Sequence, residues 1–470
     1  MYDFETSYRA MESRDQRFDG RFVVAVTSTG VYCRPSCPSR TPRRRNVRFF
    51  RLPAAAEADG FRACRRCRPD VAPSSPEWNV RGDLAARALR LIAGGAVDRD
   101  GVAGLARRLA VSERHLHRQL VAEVGVGPQL LAISRRAQVA RMLVETSGLA
   151  LADVAFAAGY ASVRQFNDGM RAAFGCPPGE LRRAGSAEGP LVLRLRYRPP
   201  LPVDPLLRWL ADRALPGVET VQGRRYRRTM RLPHGAGHVA VEFAPVPAGE
   251  RWGAATVQLA LADLRDVTAA VQRCREIFDL DTDPELITDA LSSDPVLGPL
   301  VRAEPGLRVP GCANGFELAV RAVLGEQASP ATARTFGERL VRRFGEPFST
   351  GDARLTHLFP TPETLAGAEV EAIGLTRRRA ATLRALARAV QADGLVLDRG
   401  ADREKCVAAL LALPGIEPRT AGSIAMHALG DPDVALPASH PADLGWRPWR
   451  SYAAMWLSER GPRCGSITTS

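Results

Sequence analysis

Two short-spaced cysteine pairs constrain this chain more than any other feature: Cys33 and Cys37 in VYCRPSCPSR, and Cys64 and Cys67 in FRACRRCRPD. Within each pair the short loop lets both sulfurs reach one tetrahedral ion, and thiolates suit zinc in a reducing compartment. A disulfide scaffold does not fit, because nine cysteines in 470 residues are too few and an odd number cannot all pair. The expectation is therefore one Zn2+ held by Cys33, Cys37, Cys64 and Cys67. Spacing alone is equally compatible with a zinc that only staples the fold. The surroundings point further. A strand-like run from Phe22 to Val26 leads through Thr29 and Gly30 into Cys33, and Arg34, Arg40, Arg43, Arg44, Arg45 and Arg48 follow closely. Arginines beside a zinc site would hold a phosphate backbone against it. Four thiolates on one Zn2+ leave a net charge of about −2, so a ligand sulfur stays deprotonated and electron-rich, ready to attack an alkyl carbon.

Charge agrees with a polyanionic partner. The chain has 65 basic against 51 acidic residues, a net +14 with a pI near 10.0, and neutralising phosphates releases condensed counterions. Lys405 is the only lysine, so compositional bias toward arginine is the competing explanation. A hydrophobic content of 45% with 25% charged residues excludes a mostly disordered or collagen-like chain. No apolar run approaches the roughly 18 residues of a membrane span, and MYDFETSYRAMESRDQ lacks a signal-peptide layout, so a cytoplasmic protein is expected. The length predicts three or four domains.

After a Pro/Ser-rich connection near residues 72 to 79, helical periodicity begins, with Leu84, Ala88, Leu91 and Ile92 on one apolar face. In VAGLARRLAVSERHLHRQLVAEVG, Leu105 and Leu109 close one helix, Ser112 caps the next, and Leu116 and Leu120 carry it into the core. LADVAFAAGYASVRQFNDGMRAAFG repeats the plan, with Gly159 and Tyr160 at the turn, Ser162 as cap, and Phe166 and Phe174 in the core. In such a unit the second helix enters the major groove. Its exposed positions would be Glu113, Arg114, His117 and Arg118 in the first copy, and Val163, Arg164, Gln165 and Asn167 in the second. His115 and His117 have no neighbouring ligand set and read as helix-surface residues.

On these residues, the stretch from Arg21 to Asp70 resembles the N-terminal domain of the bacterial adaptive-response (Ada) regulators, and the double helix-turn-helix resembles the AraC-type DNA-binding domain those regulators carry. The resemblance implies that Cys33 takes a methyl group irreversibly from a DNA methylphosphotriester while on zinc, with Cys37, Cys64 and Cys67 as co-ligands. It also implies DNA contacts by Arg34, Arg43, Arg44, Arg45, Arg114, Arg118, Arg164 and Gln165. As partners it implies methylated duplex, promoter DNA and, for an activator, RNA polymerase. The second alkyltransferase domain of those regulators, with its Pro-Cys-His-Arg site, has no counterpart. Cys176, Cys274, Cys312, Cys406 and Cys464 lack neighbouring ligands and are expected to be structural.

Beyond AGSAEGP (residues 184 to 190), strand-like segments precede helices that dominate from about Arg265. LLALPGIEPRTAGSIAMHALG reads as helix, tight hairpin and helix, whose free N–H groups can hold a phosphate. With FELAVRAVLGEQAS and RPWRSYAAMWL it resembles the helix-hairpin-helix 3-methyladenine DNA glycosylase II family, over about residues 190 to 460. That resemblance implies base extrusion, with Gln327 plugging the gap, Gly415 in the phosphate-binding hairpin, and Trp456 lining the base pocket. Two departures follow, and a lyase mechanism is set aside on a separate residue. Glu417 stands where the hairpin usually has a second glycine. The catalytic aspartate position falls on His440 or on Asp443, depending on the match, and the helix that would support it is shortened. Arg419 occupies the position of the lyase lysine, and a guanidinium does not form a Schiff base.

The expected fold is mixed and mainly α. It comprises a zinc-bound α+β domain (1–75), an AraC-type double helix-turn-helix (80–184), a small antiparallel sheet (190–262) and a helical helix-hairpin-helix glycosylase-like body (263–470). The expected function is DNA alkylation repair joined to transcription regulation, with any base excision being simple hydrolysis and impaired. The rival is a transcription regulator with purely structural zinc and a relic glycosylase half.

Overall fold

The computed structural model describes residues 2–69, 83–182, 191–246, 252–392, 394–435 and 443–458. Both connections read from the sequence, near 72 to 79 and 184 to 190, lie outside them. The chain divides into two compact units. One is Met1–Arg196 with Leu232–Gly235 and Val257–Gln272, and the other is Tyr197–Arg231 with Ala236–Thr256 and Arg273–Ser470.

In the first unit, helix α1 (Phe4–Glu12) opens where Asp3 Oδ1 accepts from Thr6 N at 2.7 Å. It lays Tyr8 and Met11 on Phe22, Val24, Val47 and Phe49 of a small four-stranded sheet. The valine-rich β1 (Val23–Val26) runs antiparallel to β2 (Val31–Cys33) and to β3 (Val47–Phe50). The short β4 (Arg62–Ala63) joins β2 in parallel with Tyr32 opposite Ala63. That register decides the site: the next residues, Cys33 and Cys64, leave adjacent strand ends side by side.

The helix-turn-helix residues fold as the caps and apolar periods predict. Ser112 opens the helix Glu113–Val124 and Ser162 the helix Val163–Phe174, each hydroxyl accepting a backbone N–H at 3.2 Å. Leu105, Leu116 and Leu120 are buried with Leu91 and Ile92, and Phe166 and Phe174 are buried in the second copy. The helix Pro128–Thr146 joins the copies. Gly101, at φ +68°, breaks the segment Ala96–Arg108 into two pieces, a conformation that L side chains rarely adopt.

One packing feature has no signal in the sequence. The short helix α2 (Pro53–Ala58) puts Ala54 and Ala55 into the same apolar cluster as Leu91, Leu105, Leu116 and Leu120. Arg65 donates to the Gly175 carbonyl at 3.0 Å, and Arg68 pairs with Glu145. The cysteine-bearing sheet and the helix-turn-helix helices thus share a core.

Strands β5 (Leu191–Tyr197), β6 (Glu219–Gln222), β7 (Arg225–Leu232), β8 (Gly235–Phe243) and β9 (Gly253–Leu261) form a sheet of order β5-β9-β8-β7-β6. β6 and β7 pair antiparallel with Glu219 opposite Arg228. In the second unit the helices Gly315–Gly325, Arg377–Gln391, Arg403–Leu411 and Pro418–His427 close around Val320, Val323, Leu383, Leu386, Leu410 and Ile424. Among the described residues no helix is long and apolar enough to cross a membrane.

Candidate functional site

The sulfurs of Cys33, Cys37, Cys64 and Cys67 lie within 4.8 Å of one another. The parallel β2–β4 register supplies Cys33 and Cys64, and two turns return the others: Cys37 N donates to Arg34 O at 3.1 Å, and Arg68 N to Cys64 O at 3.0 Å. Three of the four are buried and Cys64 is half-buried. Hydrogen bonding within the cluster, above all from Cys33, pulls Cys37 down to about 6 and lowers Cys64, whereas Cys33 is pushed up chiefly by its bond to Cys37. Four thiolates at this separation fit tetrahedral Zn2+, whose binding displaces their protons.

Hydroxyl and backbone groups act on three of the sulfurs. Cys37 Sγ lies 3.2 Å from the Ser39 hydroxyl, which can donate to it once ionised. The backbone N–H of Arg34 reaches Cys67, and that of Cys67 reaches Cys64. Such a bond withdraws electron density from a zinc thiolate.

The arginines expected to line the site behave differently from one another. Arg43 and Arg45 are exposed. Arg44 is exposed but engages Glu5 through both terminal nitrogens, at 2.6 and 2.9 Å, and its guanidinium stands 4.6 Å from the Tyr8 ring centroid. Arg34 is only 22% exposed and faces the buried Asp19.

On the groove-reading helices, Arg114, Arg118 and Arg164 are exposed, as are Glu113, His117 and Val163. Gln165 is also exposed, but its Oε1 accepts from Ala161 N at 3.0 Å, so it serves the helix start. Asn167 donates back to the Val163 carbonyl at 3.0 Å.

The second unit holds a cavity of about 660 Å³ lined in part by Trp209, Cys312, Gln327, Glu417, Arg419 and His427. A buried ionic group forms one wall. Arg228 donates to Glu317 at 2.6 Å, Arg321 donates to Glu317 at 2.9 Å and to Glu219, and Tyr226 donates to Glu219. Burial opposes the Glu219 charge, but Arg321 and Arg228 hold its carboxyl below the usual range. His427 donates Nδ1–H to the Pro310 carbonyl, 2.6 Å away, and burial pushes its pKa down to about 4. A carbonyl only accepts, so Nδ1 carries the proton and Nε2 is an acceptor.

The hairpin between Arg403–Leu411 and Pro418–His427 turns on Gly415 at φ +82°, where a Cβ would meet Thr382 Oγ1 at 2.2 Å. Gln327 sits at φ +52° and donates Nε2 to Glu417 Oε1 at 3.2 Å. Trp456 does not line this cavity: it is buried with Ile287, Leu300, Val309 and Met455, and its Nε1 donates to Glu304 O at 2.9 Å. Asp443 opens the single turn Asp443–Trp446, and His440 and Cys464 lie outside the described residues. Cys176, Cys274 and Cys406 are buried, and burial pushes Cys274, Cys312 and Cys406 up to about 12.

A four-thiolate centre, a doubled helix-turn-helix and a helix-hairpin-helix body define a zinc protein that acts on DNA. Three family models agree: "Metal binding domain of Ada" matches residues 6–70, "Helix-turn-helix domain" residues 105–184, and "AlkA N-terminal domain" residues 192–314. The chain is 48% identical to the probable bifunctional transcriptional activator/DNA repair enzyme AlkA of Mycobacterium tuberculosis, over 97% of its own length and 96% of the relative's. It is 32% identical to DNA-3-methyladenine glycosylase 2 of Escherichia coli, over 56% of this chain and 96% of that protein. It is 44% identical to the regulatory protein ada of Salmonella typhimurium, over 25% of this chain and 32% of that protein. The chain belongs to the family of bifunctional transcriptional activator/DNA repair enzymes of the AlkA type.

Proposed function

We propose that this protein senses and repairs alkylated DNA: Cys33, on zinc, takes a methyl group from a methylphosphotriester, and the methylated form activates transcription through its helix-turn-helix pair. The observation that carries this reading is the cluster of four cysteine sulfurs within 4.8 Å of one another, inside the span matched by the metal binding domain of Ada. The test is mass spectrometry after incubation with methylphosphotriester duplex, where a single methyl group should map to Cys33. An unmodified Cys33, with zinc bound, favours the purely structural zinc.

The switch follows from charge. Methylating a zinc-bound thiolate removes one negative charge from a module that carries the exposed Arg43 and Arg45, so repulsion from the DNA backbone falls. Promoter affinity should rise on methylation, and its salt dependence should steepen. Equal affinities of the two forms for one duplex contradict this. A cytoplasmic location and contact with RNA polymerase belong to the same reading.

The C-terminal half supplies a glycosylase fold with weakened DNA grip. Glu417, at the start of the hairpin's second helix, puts a carboxylate where phosphate would sit, opposing the helix N-terminus. Glu417→Gly should tighten duplex binding by about 0.3–1 kcal/mol at low salt. Anisotropy titrations that give the same affinity for both proteins count against this.

A further inference from the structure

The loop joining Cys33 to Cys37 is held by a carboxylate outside the ligand set. The Asp19 side chain is fully buried, and both oxygens engage the loop: Oδ1 accepts from Ser36 N at 3.0 Å and Oδ2 from Ser36 Oγ at 2.6 Å, while Arg34 Nε stands 3.3 Å from Oδ2. Asp19 is itself fixed, its N–H donating to Gln16 O at 3.1 Å and its backbone bridging to Phe22. Arg34 Nε is buried and makes no aligned hydrogen bond among the described residues. The Asp19 charge is therefore its closest compensation. Binding Ser36 N and Oγ needs only a neutral acceptor, and burying a full negative charge is costly unless a cation answers it. The charged pair thus asks for a reason beyond loop folding.

The chemistry supplies one. In methyl transfer the thiolate sulfur bonds the methyl carbon, the carbon–oxygen bond breaks, and its electron pair stays on the phosphate oxygen. The neutral triester becomes a diester anion while the sulfur loses its charge, and no proton moves. A cation placed at the departing oxygen meets little charge in the ground state and much in the transition state. We infer that Asp19 is a positioning residue for this transfer, aiming the Arg34 guanidinium, next in sequence to the acceptor Cys33, at the departing phosphate oxygen. The inference rests on the methyl-acceptor reading.

Full-length zinc-loaded protein and two methyl donors separate this role from a structural one: a methylphosphotriester duplex, and methyl iodide, whose leaving iodide needs no guanidinium. Asp19→Asn should slow transfer from saturating duplex about tenfold to a hundredfold, leaving the methyl iodide rate and zinc stoichiometry unchanged. Arg34→Ala should slow the duplex reaction by about 10²–10³, and Asp19→Asn should add nothing in that background. Equal slowing with both donors, or multiplicative effects of the two substitutions, assigns Asp19 to loop folding and overturns the inference. Should Asp19→Asn not fold, Arg34→Ala decides alone: an unchanged ratio of duplex to iodide rates refutes the role. A wild-type protein that accepts methyl from iodide but never from duplex defeats the methyl-acceptor reading instead.

Discussion

Cys64→Ser is expected to abolish zinc binding and to unfold the sheet β1–β4 together with α1. A structural zinc site of thiolates contributes about 10–16 kcal/mol of folding free energy near neutral pH, comparable with or above the roughly 5–15 kcal/mol that keeps a whole domain folded. The apolar core behind the site is small: α1 offers Tyr8 and Met11 to Phe22, Val24, Val47 and Phe49. It cannot replace that term. The loss should not stop at the zinc module, because Ala54 and Ala55 of α2 lie in the cluster of Leu91, Leu105, Leu116 and Leu120. Amide exchange should therefore quicken along the first helix-turn-helix copy as well, and treatment with a strong chelator should do the same. Cys406→Ser, at a buried cysteine far in sequence from the ligands, should keep the metal. A Cys64→Ser protein that retains one equivalent of zinc and slow exchange in β1–β3 would falsify the ligand assignment.

Elements whose cause is local were legible in the sequence. The cysteine spacing named the cluster, and Ser112 and Ser162 marked helix starts because a capping hydroxyl acts within three residues. The buried leucines of the first helix-turn-helix copy and the buried phenylalanines of the second followed from period alone. Features that depend on distant partners were not legible. Nothing near Asp19 signals that it would accept from Ser36, and Arg34 reads as one more basic residue until the fold brings Asp19 against it. Gln165 looks like a base-reading amide, yet its carbonyl oxygen is taken by Ala161 N. Trp456 looks like a pocket aromatic, but a helix has several faces, and the one carrying Trp456 turns into the cluster around Ile287 and Met455. The alanines of α2 give no hint of their partner, since a short Ala-rich helix packs against whatever surface the fold presents.

Base excision by the C-terminal half is expected to fall about 10²–10³ below that of an intact site, the usual loss when one preorganised electrostatic stabiliser is missing. Cleaving a glycosidic bond builds positive charge on the sugar, which a carboxylate must face in a water-poor pocket. Most carboxylates on the cavity wall are already committed elsewhere: Glu219 and Glu317 are neutralised by Arg228 and Arg321, Glu417 accepts from Gln327 and Glu326 from Thr420, while Asp212 is exposed to water. Asp431 and Asp433, on the chain after the hairpin helix, are not among the lining residues. Asp433 accepts from Arg450 Nε at 2.7 Å and lies 3.5 Å from Arg447 Nε, and Asp431 lies 3.7 Å from Arg403. Asp443 is followed by only Leu444, Gly445 and Trp446 before Arg447, too few residues for the long helix expected between the aspartate and that arginine. The alignment with the mycobacterial relative runs over 486 positions, more than the 470 residues of this chain, so that protein has segments without a counterpart here. Release of methylated adenine from alkylated duplex measures the effect directly. Excision well above background that Asp443→Asn abolishes means the shortened segment still delivers its carboxylate. Excision that survives Asp443→Asn but is lost in Asp433→Asn moves the catalytic group to the arginine-paired turn, since freeing Asp433 from Arg450 and Arg447 is then part of engaging DNA.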